Sequence, residues 1–267
     1  GGGNVFMGAL YNPLDGATYF AKIREGLGGA WLYTLAHTPE PHSGALVHSF
    51  YLFLGHLANL LNLSPVLIFH IARLVTSFTM FLAIYQLAST IWNRKRPRRL
   101  FFWTMAVGSG LGWLFVVIFP AAGELPIDFT IPEAIPFYAA LANPHFPLAI
   151  GLVAMIASIF IPVFRPNFDQ QPTLTNGGGT LILIVIVLCL VQPQAWVPIA
   201  GGLCAYTFVQ ILRTRGLPKV ELNWVILAVL PALPFMIYYI ASVTTNPAYR
   251  VWNSQNLTPS PGLDKYL

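Results

Sequence analysis

Apolar runs long enough to cross the hydrocarbon core of a bilayer, about 20 residues each, recur along this chain. They lie at 65–91, 100–120, 146–164, 177–213 and 222–243. In lipid each backbone N–H and C=O must be satisfied inside its own segment, which favours helices. The expected fold class is therefore all-α, a polytopic transmembrane helix bundle. Only 9% of the residues are charged, against about a quarter in a soluble domain, too few to cover a water-facing surface. The net charge of +5 does not point to nucleic acid. Its bases sit in short clusters between apolar runs, with no interleaved aromatics for stacking bases. Cys189 and Cys204 both fall inside apolar runs and read as small buried hydrophobes.

The clusters give an orientation. Ser64-Pro65 is a helix start, a capping hydroxyl before a proline in the first turn. The helix it opens ends at Asn93-Arg94-Lys95-Arg96-Pro97-Arg98-Arg99. By the positive-inside rule this basic loop is cytoplasmic. Counting spans puts 121–145 outside and 165–176 inside. The long run 177–213 is broken by Gln192-Pro193-Gln194. Read as a hairpin turning there, it returns Arg213, Arg215 and Lys219 to the inside; 222–243 then exits and 244–267 lies outside. Residues 44–62 are apolar enough to span but contain His48, His56 and Asn59. They either cross, which puts the preceding residues inside, or lie in the outer leaflet. Residues 1–63 then form a first outer loop with interfacial helices, and 64–267 hold about six spans of one transmembrane domain. The start at Gly1-Gly2-Gly3 and the end in a Pro-rich polar stretch read as the ends of a piece of a longer chain.

Several residues carry candidate chemistry. Asp15 sits in a turn before an amphipathic helix expected over 17–27. It reads as a general base or metal ligand, or as that helix's N-cap. Lys22, Arg24 and Glu25 give the helix an interfacial character, with Tyr19, Trp31 and Tyr33 as an aromatic belt. His37, Glu40 and His42 hold metal-ligating groups within six residues, although the prolines between them remove helical spacing; a rigid loop lining a polar site is the other reading. Arg73, two turns into its helix, needs a partner or a polar cavity. His70 shares its face, and a lipid phosphate suits the guanidinium; a buried ion pair would suit it equally. His145 shares its side of the membrane with Glu124, Asp128 and Glu133, lining a cavity or capping a helix. Arg250 lies outside. Gly177-Gly178-Gly179 lacks the residues of a phosphate loop and reads as a loop entering a helix.

The order of these parts resembles a known family. Asp15, an interfacial helix, Gly-Gly-Ala-Trp31-Leu32, the loop 39–42, a short apolar helix ending Leu-Asn-Leu-Ser64 and a helix bearing Ala72-Arg73-Leu74 resemble the first outer region of GT-C membrane glycosyltransferases. That group includes the protein mannosyltransferases and aminoarabinose transferases. The resemblance is best over 10–90. The loop departs from the aminoarabinose type, which carries Lys-Pro-Pro where Pro39-Glu40-Pro41-His42 stands here. The resemblance implies that 44–62 is an outer-leaflet helix and that further helices precede Gly1 and follow Leu267. It implies transfer of a sugar from a polyprenyl-phosphate donor to an acceptor on the outer face of the cytoplasmic membrane. Asp15 would be the base or a ligand of a divalent metal. Glu40, His42, Arg73, His145 and Arg250 would be substrate contacts. A transporter or flippase, or a non-catalytic subunit of a membrane complex, are rival readings.

Overall fold

The computed structural model describes residues 8–11, 13–35, 37–118, 129, 131–165 and 172–255. The helices are α1 (Pro13–Leu27), α2 (Ser49–Leu61), α3 (Pro65–Ile91), α4 (Lys95–Val107), α5 (Gly112–Ile118), α6 (Pro136–Leu141), α7 (His145–Val163), α8 (Leu174–Val191), α9 (Pro193–Thr214), α10 (Lys219–Val229), α11 (Leu233–Thr245) and α12 (Pro247–Gln255). Among the described residues, extended pairing is limited to one bridge between Tyr33 and Ala45. The protein is an all-α polytopic membrane protein. Five helices are long and apolar enough to cross a bilayer, α3, α7, α8, α9 and the run Lys219–Thr245. They become six if the bent pair α4–α5 is one span.

Local chemistry sets these boundaries. The Ser64 side chain accepts from the Leu67 N–H at 3.3 Å, capping α3 at the expected place. At its other end Trp92 is the C-cap, and its carbonyl accepts from Arg98 Nε at 2.5 Å. A cation thus sits at the negative end of the α3 dipole. The basic segment expected as a loop over 93–99 is therefore largely helix, since α4 begins at Lys95. The expected span 100–120 is broken: α4 stops at Val107, α5 starts at Gly112, and the two are bent by 54° across Gly108-Ser109-Gly110. Residues 119 and 120 lie outside the described set, as does 121–128, including Glu124 and Asp128.

Two contacts fix how the long helices run. A Cβ on Gly151 of α7 would lie 3.1 Å from Met80 Cα of α3, and the Ala140 carbonyl just before α7 accepts from Arg73 Nη1 at 2.8 Å. The helices are therefore parallel, with His145 level with Leu74. At about 1.5 Å per residue, the 27 residues of α3 reach roughly 40 Å and the 19 of α7 roughly 28 Å. The first two turns of α3 accordingly stand beyond the start of α7.

The hairpin at 192–194 forms. Phe164, after α7, packs on Tyr206 of α9 with ring centroids 4.3 Å apart, while Gln192 and Ala195 line a cavity with Phe146 and Ala149 at the opposite end of α7. α9 therefore runs back beside α7. Gly177 and Gly178 lie inside α8 rather than in a loop; a Cβ on either would press at 2.9 Å on Trp224 or Leu227 of α10. The core between these helices contains Leu152, Ile156 and Phe160 of α7, Leu181, Val185 and Leu188 of α8, Trp196 of α9, and Trp224 and Val225 of α10. Arg94, Lys95, Arg96, Arg98, Arg99, Arg165, Arg213, Arg215 and Lys219 all gather at one end of the bundle, here the basic end.

α1 and α2 occupy the other end, the loop end. The 13 residues of α2 give about 20 Å, short of the roughly 30 Å hydrocarbon core. Ser49 Oγ at its start donates to the Leu190 carbonyl at the end of α8, 3.0 Å away. α2 therefore begins where the spans end and does not pass between them. α1 and α2 cross backbone to backbone: a Cβ at Gly26 would fall 2.1 Å from the Leu52 carbonyl oxygen, and one at Gly55 would fall 2.2 Å from that of Ile23. Phe20, Ile23, Leu54, Ala58, Ile68 and Phe69 bind the crossing to the overhang of α3.

Candidate functional site

α1 presents Asp15, Tyr19 and Lys22 at spacings of four and three, one stripe along one helical face. The stripe faces the starts of α2 and α7. The helix opens at Pro13, earlier than the expected 17–27, so Asp15 is inside the first turn and is not the N-cap. Its carboxylate is exposed and favoured at that position by the helix dipole. Its backbone carbonyl accepts from Thr18 Oγ1 at 2.8 Å.

Tyr19 stacks on Tyr51 of α2 with centroids 4.2 Å apart and meets the His145 ring at 5.0 Å. The Tyr51 hydroxyl and His145 Nδ1 are hydrogen-bonded at 2.6 Å, tying α2 to the first turn of α7. Burial, then the nearby carboxylates of Asp15 and Glu133, hold the Tyr19 hydroxyl above its ordinary range. Tyr51 is raised for the same first reason. Both are neutral hydrogen-bonding groups at pH 7.

Lys22 is the unusual member. It is 7% exposed, and its Nζ lies 4.4 Å from the Tyr19 ring centroid and 5.7 Å from that of Tyr33. Cation–π attraction partly replaces the lost hydration. Burial pushes the amine down to about 8, against the pull of Asp15 and then Glu25. His48, in the left-handed region at φ 54° before α2, edges onto Tyr33 at 5.3 Å. Burial, then the Lys22 charge, pushes its imidazole down to about 3. The nest thus holds one cation, neutral rings and a carboxylate at its rim. Such an arrangement suits an anionic oxygen beside Lys22 and a proton acceptor at Asp15.

The other sequence candidates are placed differently. His42 accepts from the Leu35 N–H at Nε2, 2.9 Å, and donates from Nδ1 to the Glu40 carbonyl, 2.9 Å. Both ring nitrogens hold the loop, which rests on Tyr249 of α12 at 5.9 Å. Glu40 is exposed and accepts from Thr38 Oγ1 at 2.5 Å; His37 is exposed. Arg73 is level with the mouth of the bundle rather than two turns deep, because α3 overhangs α7. It donates to Ala140 and to His70 Nδ1 at 3.3 Å. Arg250 is exposed on α12, whose Tyr249 is buried and donates its hydroxyl to the Tyr33 carbonyl at 2.5 Å. Among the described residues no three His, Cys, Asp or Glu side chains converge as a metal site.

Beside the nest lies a cavity of about 230 Å³, lined by Glu133, Phe146, Ala149, Ile150, Val153, Gln192 and Ala195. Phe146 links the two, its ring 4.0 Å from that of His145. Sequence reading missed Lys22, Tyr51 and this cavity. The spacing of Asp15, Tyr19 and Lys22 puts them on one helical face but does not mark Lys22 as buried; the pairing of Tyr51 with His145, 94 residues apart, had no signal. No family model, curated protein or solved structure matches this chain.

Proposed function

We propose that this protein is an integral membrane glycosyltransferase. It would move a sugar from a polyprenyl-phosphate donor to an acceptor at the outer face of the cytoplasmic membrane. The observation that carries the reading is the pairing, on one face of α1, of the exposed carboxylate of Asp15 with the buried ammonium of Lys22. The orientation follows from the nine bases at the opposite end, which the positive-inside rule assigns to the cytoplasm. In the reaction the acceptor oxygen or nitrogen attacks the anomeric carbon. The bond from that carbon to the phosphate oxygen breaks, and the polyprenyl phosphate leaves with the electron pair. Asp15 takes the proton of the nucleophile. Lys22, on the Asp15 face of α1, balances the charge on the departing phosphate, whereas both ring nitrogens of His42 hold its own loop and Arg73 is turned to Ala140 and His70.

General-base help is worth about 10²–10⁴-fold. With reconstituted protein and a polyprenyl-phosphate sugar, Asp15→Asn should insert normally and lose transfer by about that factor. Near-normal turnover in that variant would remove Asp15 from the mechanism.

A further inference from the structure

We propose that the cavity under Glu133 and Gln192 receives the sugar ring, and that it selects a ring bearing hydrogen-bond donors and no carboxylate. The proposal rests on the transferase reading for its role, but not for its chemistry. Gln192 joins α8 to α9, and its backbone is fully engaged: its N–H donates to the Leu188 carbonyl at 2.8 Å, and its carbonyl accepts from the Ala195 N–H at 3.1 Å. Pro193 behind it starts α9. Only the side chain is idle. Its amide oxygen is buried with no hydrogen-bond partner, an arrangement that loses the hydration of a strong acceptor and recovers nothing unless a donor arrives.

The cavity's other polar group is Glu133, also an acceptor when ionised. The remaining walls, Phe146, Ala149, Ile150 and Val153 among them, are apolar. Two acceptors in the wall of an otherwise apolar bowl match a ring with one C–H face and several hydroxyls. The bowl's 230 Å³ leaves room for one six-membered ring. A uronic acid would bring its carboxylate against Glu133 and find no donor on Gln192 Oε1. A hydroxyl or ammonium satisfies both groups. The location agrees, since the ring of Phe146 abuts His145, which packs on Tyr19 of the Asp15 stripe.

Saturation-transfer NMR on the full chain in nanodiscs tests this, with methyl hexosides and the matching methyl hexuronides as probes. A hexoside should bind at least tenfold more tightly than its hexuronide. Gln192→Leu should weaken the hexoside about tenfold, and Glu133→Gln should narrow the gap between the two probes. Gln192→Glu keeps the side-chain shape and guards against a folding artefact; it should widen that gap. Binding of no hexoside, or binding that ignores all three variants, overturns the proposal. Specific hexoside binding with no transfer from any polyprenyl-phosphate sugar would sustain the pocket and sink the transferase reading. Transfer that all three variants leave unchanged would do the reverse.

Discussion

An ammonium buried against aromatic rings costs folding free energy even when cation–π contact offsets part of the loss, and Lys22 is such a group. Below about pH 8 both the folded and unfolded chains carry its proton, and the folded state bears the full cost. Between about 8 and the ordinary 10.5 the folded form has released the proton and the unfolded form still holds it, so stability rises with pH across that window. The shift corresponds to roughly 3 kcal/mol. Lys22→Met should therefore raise the melting temperature at pH 7, and thermal melts at pH 7 and pH 10 should show the gain shrinking at the higher pH. The same variant should lose donor binding, which a merely structural lysine would not. Asp15 was legible in the sequence because a carboxylate in a Pro-containing turn stands out. Lys22 was not, because beside Arg24 and Glu25 it reads as one more interfacial charge. Its burial comes from Tyr33 and the start of α2, which only the tertiary fold brings over it.

At the scale of elements, the nest depends on how closely α1 lies on α2. Glycine at 26 and at 55 is required because carbonyl oxygens, not flexible side chains, occupy the places their β-carbons would take. Overpacking usually costs about 1–3 kcal/mol, and backbone collisions leave little means of relief. Gly55→Ala should cost at least that much and separate the helices. A disulfide engineered between α1 and α2 should then form more slowly, while the spans from α7 to α11 keep their protease resistance. Helix boundaries set by local chemistry were readable: Ser64-Pro65 opens α3, and Pro193 opens α9 after a hairpin that the two glutamines and the proline announced. The break between α4 and α5 was not taken from the sequence, although Gly108-Ser109-Gly110 carried it. The hydropathy of 100–120 outweighed three weak helix formers, and the bend is a local backbone choice that apolar content does not record.

Considered whole, the molecule separates its chemistry by end, with bases at one and the Asp15 nest at the other. In a chain whose Cys189 and Cys204 are replaced by serine, a cysteine at Glu40 should react with an impermeant maleimide added outside cells, and one at Arg215 should not; the opposite pattern inverts the orientation and removes the nest from the outer face. The all-α bundle was legible because the spacing of apolar runs reports directly on bilayer thickness. The depth of individual residues was not, because it depends on which helix is longer than its neighbour. That inequality has a further consequence. The first two turns of α3 overshoot α7 by about 12 Å at 1.5 Å per residue, and α1 and α2 hang on that overshoot, so Asp15, Tyr19 and Lys22 ride at a height fixed by protein while the lipid surface is free to rise or fall. Under the transferase proposal, hydrophobic mismatch, ordinarily a matter of tilt and sorting, would become a control on catalysis: in nanodiscs of progressively longer acyl chains the outer leaflet should climb over the Asp15 rim, and turnover should fall with bilayer thickness before the melting temperature does.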